Sequence, residues 1–153
     1  MTTTYQSTGG TAAGIGTRIA LTFIGAGGMI VGAFLEWVAK IDGTKLDVRA
    51  LWRTTFMSTN TFVSTVGFAA IVVGLVALVG LAMGTGWLTR LAGAVAVVGF
   101  ILFAIELYRA TGDETIGAGA WIVLAGAIVT LIAGFFGPRQ LTTTPATRLV
   151  DQG

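Results

Sequence analysis

Residues 62–83 form a run of 22 amino acids without a charged side chain, and this run constrains the fold more than any other feature. An α-helix needs about 20 apolar residues to cross the hydrocarbon core of a bilayer. Three further apolar runs occur, at about 19–38, 88–107 and 116–136. Inside a membrane only helices and closed barrels satisfy their backbone polar groups. The runs are about twice the length of a barrel strand and do not alternate, so they favour helices.

The sequence therefore predicts an all-α integral membrane protein, a four-transmembrane-helix bundle over residues 18–137. Only 10% of the residues are charged, against about 25% in soluble domains. Residues 1–17 and 138–153 are rich in Thr and poor in large apolar side chains, so we expect two flexible tails. Trp37 stands where a signal-peptide cleavage site needs a small residue, and we therefore expect the first span to be retained.

Four spans place both termini on the same side of the membrane. The cations are divided almost evenly between the two sides: Arg18, Arg90, Arg139 and Arg148 lie with the tails, and Lys40, Lys45, Arg49, Arg53 and Arg109 lie opposite. The side with the tails is almost purely basic, so the positive-inside rule favours cytoplasmic termini and a plasma-membrane location. Seven Arg against two Lys, with abundant Ala, Gly, Val and Thr, is typical of high-GC bacterial genes.

Several kinds of chemistry are excluded by the residues that the chain lacks. It contains no Cys and no His, so it has no disulfide, no thiolate or imidazole metal ligand and no Ser-His or Cys-His nucleophile. We accordingly expect no enzymatic activity, no metal and no cofactor. The net charge of +2 comes from scattered cations and not from a basic cluster, so nucleic acid is not an expected partner.

The loop over residues 39–61 carries six of the sixteen charged residues and is the largest interior segment that a bilayer excludes. Thr44 and Asp47 resemble a capping box, and the apolar periodicity that follows predicts a short amphipathic helix over 44–56. Such a helix would lie in the membrane interface. Its candidate contact residues are Lys45, Arg49, Trp52, Arg53 and Phe56. The alternatives are a purely structural lid and a pair of short strands in the same segment.

Two glutamates, Glu36 and Glu106, fall near the same face of the membrane. Each has a cation nearby on its own predicted helix, Lys40 and Arg109 respectively, so local pairing is one interpretation. In the other, the two acids face each other and form a cation or proton site. The segments around them also resemble each other, because Thr17 and Arg18 precede the first run as Thr89 and Arg90 precede the third. This similarity suggests two duplicated helical hairpins.

Small residues recur at four-residue spacing in the apolar runs, including Gly28, Gly32, Gly126 and Gly134. Helices in lipid associate through close backbone approach, which such residues permit. We expect these positions to pack helices inside the bundle, and at least one small-residue face to contact a neighbouring subunit.

These features predict a non-catalytic membrane protein, an accessory or assembly subunit that binds membrane lipid, other membrane proteins or further copies of itself. The alternative is a small oligomeric channel or transporter with Glu36 and Glu106 at its outer mouth. A permeation path normally needs polar groups or broken helices at mid-depth. Here the middles of the runs are apolar apart from Thr22 and Thr130, which favours the accessory role.

Overall fold

The computed structural model describes residues 9–38, 40–54, 58–84, 86–111 and 115–136. Its α-helices are α1 (Gly9–Ala33), α2 (Val66–Ala82), α3 (Gly86–Thr111) and α4 (Ala118–Ala133). A short antiparallel hairpin follows α1 and consists of β1 (Glu36–Val38) and β2 (Ile41–Asp42). Single 3₁₀ turns lie at Val48–Leu51, Phe62–Ser64 and Gly134–Phe136.

Three stretches of helix are long and apolar enough to cross a membrane: Gly14–Ala33, Gly86–Ala110 and Ala118–Phe136. The remaining helix, α2, is also apolar but has only 17 residues, which is about 25 Å at 1.5 Å per residue. The prediction of a mostly helical chain is therefore confirmed, and three of its helices are long and apolar enough to span a membrane.

Each helix packs against the helices next to it in the chain, and α4 also packs along α1. Neighbouring helices are antiparallel, so the end of α1 and the start of α2 meet at one face of the protein. The described residues between 34 and 65 cover that face, and we call this segment the cap and its side of the protein the cap face. Residues 83 and 84, after α2, mark the opposite side, the tail face.

Small side chains fill the space between the helices, while large apolar side chains point outward. Every helix contributes fully or largely buried alanines, among them Ala26, Ala77, Ala92 and Ala127. The exposed positions include Ile24, Leu75, Val98 and Ile132. A soluble protein would bury such large apolar residues, whereas lipid solvates them and leaves close backbone packing to hold helices together. This inverted distribution agrees with a membrane environment.

The α1/α4 contact is built on glycine. A Cβ atom added at Gly126 would lie 2.6 Å from the carbonyl oxygen of Gly25, and one added at Gly32 would lie 2.8 Å from the carbonyl oxygen of Gly119. A Cβ at Gly28 would lie 3.4 Å from the Cα of Gly126. The two backbones therefore touch over about two helical turns, which any larger side chain would prevent.

Two arginines on the tail face each bind the carbonyl group at the end of a neighbouring helix. Arg18 Nη1 donates to the carbonyl oxygen of Gly84 at 3.1 Å, directly after α2. Arg90 Nε donates to the carbonyl oxygen of Gly134 at 2.7 Å, at the end of α4. Cations are favourable at helix C-termini because the backbone carbonyls there carry partial negative charge. Arg18 and Arg90, which are equivalent in the predicted duplication, thus make matching contacts, while the duplication itself stays a prediction.

The first predicted span, 19–38, is wrong at both ends. Helix α1 ends at Ala33, and Glu36–Val38 form strand β1. The helix ends early because hydrogen bonds to residues outside it hold the following segment, and no local pattern reveals them. The Leu35 carbonyl accepts a hydrogen bond from the Gly43 N–H, and the Trp37 carbonyl accepts one from the Gly117 N–H. At the other end α1 begins at Gly9, so residues 9–17 of the predicted tail are helical. Residues 1–8 and 137–153 lie outside the described ranges.

The predicted amphipathic helix over 44–56 is also wrong. Only a 3₁₀ turn forms, at Val48–Leu51, and Asp47 caps it by accepting a hydrogen bond from the Arg49 N–H at 2.8 Å. Leu46 and Asp47 themselves make single antiparallel bridges to Ser58 and Thr65. Pairing with these residues keeps the backbone before the turn extended, so the segment is closer to the two-strand alternative.

Candidate functional site

The cap is fixed to the helices through Trp37. This side chain is only 3% exposed, and its indole N–H donates to the carbonyl oxygen of Gly32 at 2.9 Å. Its ring meets the ring of Phe103 on α3 edge to face, with 5.2 Å between centroids. The Trp37 carbonyl also accepts from the Gly117 N–H at 2.7 Å. One residue of β1 thus joins the cap to α1, α3 and the segment before α4.

A second set of contacts holds the cap to the start of α2. The carbonyl oxygen of Leu46 accepts from the Val66 N–H at 2.9 Å, and that of Gly43 accepts from the Gly67 N–H at 2.7 Å. These bonds satisfy two of the N–H groups that a helix leaves unpaired at its first turn. The side chains of Leu46 and Ala50 are fully buried beneath the cap. With anchors on both sides, the cap is a fixed platform and not a hinged lid.

The outer surface of this platform exposes a tryptophan beside two arginines. Trp52 is 57% exposed, and Arg49 and Arg53 are both exposed. We call these three residues the Trp52 patch. Arg49 lies within the 3₁₀ turn and Trp52 and Arg53 follow it, and the Trp52 N–H donates to the Arg49 carbonyl at 3.1 Å. Indole combines an apolar body with a polar edge, and guanidinium groups bind carboxylates and phosphates, so the patch suits a protein or lipid partner.

The other two predicted contact residues of the loop have different positions. Lys45 is exposed and lies 3.1 Å from Asp42, so its charge is partly compensated within the hairpin. Phe56 lies outside the described residues. Arg49, Trp52 and Arg53 are thus all exposed on the cap, whereas Lys45 pairs with Asp42 of the neighbouring hairpin.

The two glutamates have separate environments. Glu106 on α3 forms an ion pair with Arg109 at 3.2 Å. Glu36 is exposed in β1, and no cation of the described chain lies within ion-pair distance of it. Lys40, its predicted partner, occupies the hairpin turn with a φ of 62°. Within the described ranges no three acidic residues come together as a metal-binding group.

The interior below the cap is apolar. A cavity of about 100 Å³ lies between α2, α3 and α4, and Trp37, Leu51, Val66, Phe100 and Val123 are among the side chains that line it. The buried threonine hydroxyls of the helices are dispersed. Thr22 donates to the carbonyl of Arg18 on its own helix, while Thr89 and Thr130 pack against Gly80 and Gly25. The described interior therefore offers hydroxyls at helix contacts and no polar passage.

No protein-family model, curated protein or solved structure matches this chain. The function must therefore be inferred from the residues and their geometry.

Sequence reasoning overlooked three residues that position the site. Trp37 lies five residues after Gly32, whose carbonyl its indole binds, and Gly32 is four residues after Gly28 in the small-residue pattern. Thr65 caps α2 by accepting from the Phe68 N–H at 3.1 Å, and a Thr at the start of an apolar helix is a recognisable cap signal. Gly119 is seven residues before Gly126 and continues the same helical face.

Proposed function

We propose that all four helices cross the bilayer, with the cap on one side and both termini on the other. Helix α3 supports this placement, because Trp87 and Tyr108 are exposed near its two ends. They are 21 residues apart, or roughly 31 Å along a helix, close to the thickness of the hydrocarbon core. Aromatic rings of this kind favour the headgroup level. Helix α2 is shorter by a few ångströms, a mismatch that local thinning of the bilayer accommodates at small cost.

The tail face is then the cytoplasmic face of the plasma membrane. Its described charged residues are Arg18 and Arg90, both cations, whereas the cap face carries charges of both signs. An excess of cations on the cytoplasmic side is the general rule for short loops.

Within this arrangement the protein acts as a non-catalytic accessory or assembly subunit that binds another membrane protein through the Trp52 patch. The observation that carries the proposal is an exposed tryptophan, flanked by two exposed arginines, on a platform that is anchored at Trp37 and Leu46. Tryptophan and arginine dominate the binding energy of protein interfaces. A rigid platform also loses little conformational freedom when it binds.

The small-residue faces support the proposal in a different way from the one expected. Gly28, Gly32 and Gly126 are used in the α1/α4 contact, and Gly134 packs against Arg90. They hold the helices to each other, so they are not free to contact a neighbouring subunit. This leaves the cap and the large apolar side chains of the outer helix faces as the surfaces available to partners.

The channel alternative receives less support. The described interior is closed by the cap, and its cavity of about 100 Å³ is apolar. Glu106 is paired with Arg109 and Glu36 points to the exposed surface of the hairpin. A pore along the axis of one subunit would require a polar passage through Phe103 and the buried alanines.

The test is purification at native abundance in mild detergent, followed by identification and quantification of the protein that co-purifies. The double variant Trp52→Ala, Arg53→Ala should lower the yield of that partner by about tenfold or more, as truncation of interface hot spots does. The matched control is Trp87→Ala, because Trp87 is 70% exposed on the tail face. A chain that purifies alone as a homo-oligomer and passes ions in liposomes would contradict the proposal. Equal partner yields from the double variant and from the Trp87→Ala control would contradict it too.

A further inference from the structure

The tail face contains a buried cation whose hydrogen-bonding capacity is only partly used. Arg18 is 4% exposed, and its Nη1 atom donates to the carbonyl oxygen of Gly84. Its Nε and Nη2 atoms are buried and have no hydrogen-bond partner among the described residues. Such groups are costly to leave unpaired away from water. The geometry leaves free the pair of N–H groups that a guanidinium uses to bind two oxygen atoms of one anion.

Arg18 is one of the residues that line a lateral cleft between α1 and α2. The cleft has a volume of about 530 Å³ and is otherwise almost entirely apolar. Its apolar walls are formed by Ile15, Ile19 and Phe23 on one side and by Leu78, Leu81 and Ala82 on the other. Phe23 and Leu78 lie farther from the tail face than Arg18 and Gly84 do, because α1 and α2 are antiparallel. The cleft thus has its cation at the level of the helix ends and its apolar walls extending toward mid-membrane.

We propose that this cleft, which we call the Arg18 cleft, binds one anionic phospholipid from the leaflet at the tail face. The phosphate group accepts hydrogen bonds from Nε and Nη2 of Arg18, and an acyl chain lies against Ile19, Phe23 and Leu78. A phospholipid is the occupant that combines a phosphate with a long apolar chain at this depth, and basic pockets between helices on the cytoplasmic side are suited to such headgroups. The inference depends on the membrane location alone and is independent of partner binding through the Trp52 patch.

Arg90 is an exposed arginine on the same face. Its Nε atom donates to the carbonyl of Gly134, and its guanidinium lies over the ring of Phe135 at 4.5 Å from the centroid. Both arginines bind a helix terminus, but only Arg18 adjoins the cleft between α1 and α2. Arg90 therefore supplies a matched control for the charge and for the helix-capping contact.

The experiment uses the purified full chain, delipidated in mild detergent and titrated with phosphatidylglycerol or with phosphatidylcholine of the same acyl chains. Native mass spectrometry counts the bound lipid, and the melting temperature gives an independent measure of binding. The wild type should bind one phosphatidylglycerol more tightly than phosphatidylcholine and should melt at a higher temperature with it. Arg18→Gln should weaken phosphatidylglycerol binding by about tenfold or more, while Arg90→Gln should remain within about twofold of the wild type.

A second variant tests the apolar half of the site and does not depend on the folding of Arg18→Gln. Ala82→Trp places an indole in the cleft and leaves the guanidinium intact, so it should also lower phosphatidylglycerol binding by about tenfold. Inorganic phosphate should not displace the lipid. Displacement by inorganic phosphate would show a site for a free anion and would overturn the proposal. Unchanged lipid binding in Arg18→Gln or in Ala82→Trp would overturn it too, whatever the outcome of the partner experiment at Trp52.

Discussion

Replacing Gly126 with alanine tests whether backbone contact between α1 and α4 holds the fold together. The new Cβ would lie 2.6 Å from the carbonyl oxygen of Gly25 and 2.9 Å from the amide nitrogen of Met29. Ordinary van der Waals contact begins near 3.4 Å, so the helices would have to separate by about 0.8 Å. A gap of 0.5–1 Å removes roughly a quarter to a half of the dispersion attraction between facing atoms.

The expected cost is about 2 kcal/mol of unfolding free energy, within the range of about 1–3 kcal/mol for overpacked interiors. This is a net value, because alanine is also a better helix former than glycine by about 1 kcal/mol. The control is Gly99→Ala, since a Cβ at Gly99 would have nothing within 4 Å. That variant should be neutral or more stable by up to about 1 kcal/mol, so the two substitutions should differ in sign.

Reversible unfolding in mixed micelles, titrated with a denaturing detergent and followed by circular dichroism, measures both variants. A decrease of about 2 kcal/mol corresponds to roughly a 30-fold rise in the ratio of unfolded to folded protein. If Gly126→Ala and Gly99→Ala unfold at the same detergent concentration, the tight α1/α4 contact does not exist as described.

Further substitutions test the cap and the ion pair by the same unfolding assay. Trp37→Phe removes the N–H that binds the Gly32 carbonyl and should cost about 1–2 kcal/mol; no change would mean that the cap is not anchored there. Thr65→Val removes the cap of α2 and should cost about 1 kcal/mol, while Thr65→Ser keeps the hydroxyl and should be nearly neutral. Glu106→Gln breaks the ion pair with the largely exposed Arg109 and should cost less than about 0.5 kcal/mol. A larger effect would favour a cation site at this acid.

The helices were predictable because their signals are local. An uncharged run such as residues 116–136 needs no distant partner to indicate a helix of spanning length, since the length and the missing charges are visible in the sequence itself. The run 62–83 forms a shorter helix, Val66–Ala82, because its first residues make a 3₁₀ turn. The recurring arginine before the first and third runs was also visible, and Arg18 and Arg90 do make the same contact with the end of a neighbouring helix. What the sequence left open was which carbonyl groups would accept their hydrogen bonds.

The cap was not predictable, because its structure depends on residues far apart in the chain. Strand β1 is held by Gly117, about 80 residues away, and Trp37 packs on Phe103 of α3. The predicted apolar face, which included Val48, Leu51 and Trp52, is not the buried one. The buried side chains are Leu46 and Ala50, which face the helices from a bridge and a 3₁₀ turn. Tertiary contacts override local propensity when the segment is this short.

The amphipathic helix that predicted Arg49, Trp52 and Arg53 as contact residues does not form, yet all three are exposed on the cap. With three residues per 3₁₀ turn, residues 49 and 52 fall on the same side, and Arg53 follows Trp52 directly in the chain. The Arg18 cleft is not visible in the sequence, where Arg18 stands as a basic residue at the start of the first span and as part of the duplicated pattern. Recognising it requires the buried, unpaired guanidinium nitrogens, which only a three-dimensional structure reveals.

Labelling of single cysteines from one side of the membrane tests the central placement most directly, since the chain has no cysteine of its own. Position 40 lies on the cap face before α2, and position 83 lies directly after α2. Both positions are exposed, so the variants Lys40→Cys and Met83→Cys each place a reactive thiol on the surface. If α2 crosses the bilayer, a membrane-impermeant maleimide added to intact cells should label Lys40→Cys, and it should label Met83→Cys only after the cells are opened. Labelling of both positions from the outside would contradict the four-span arrangement.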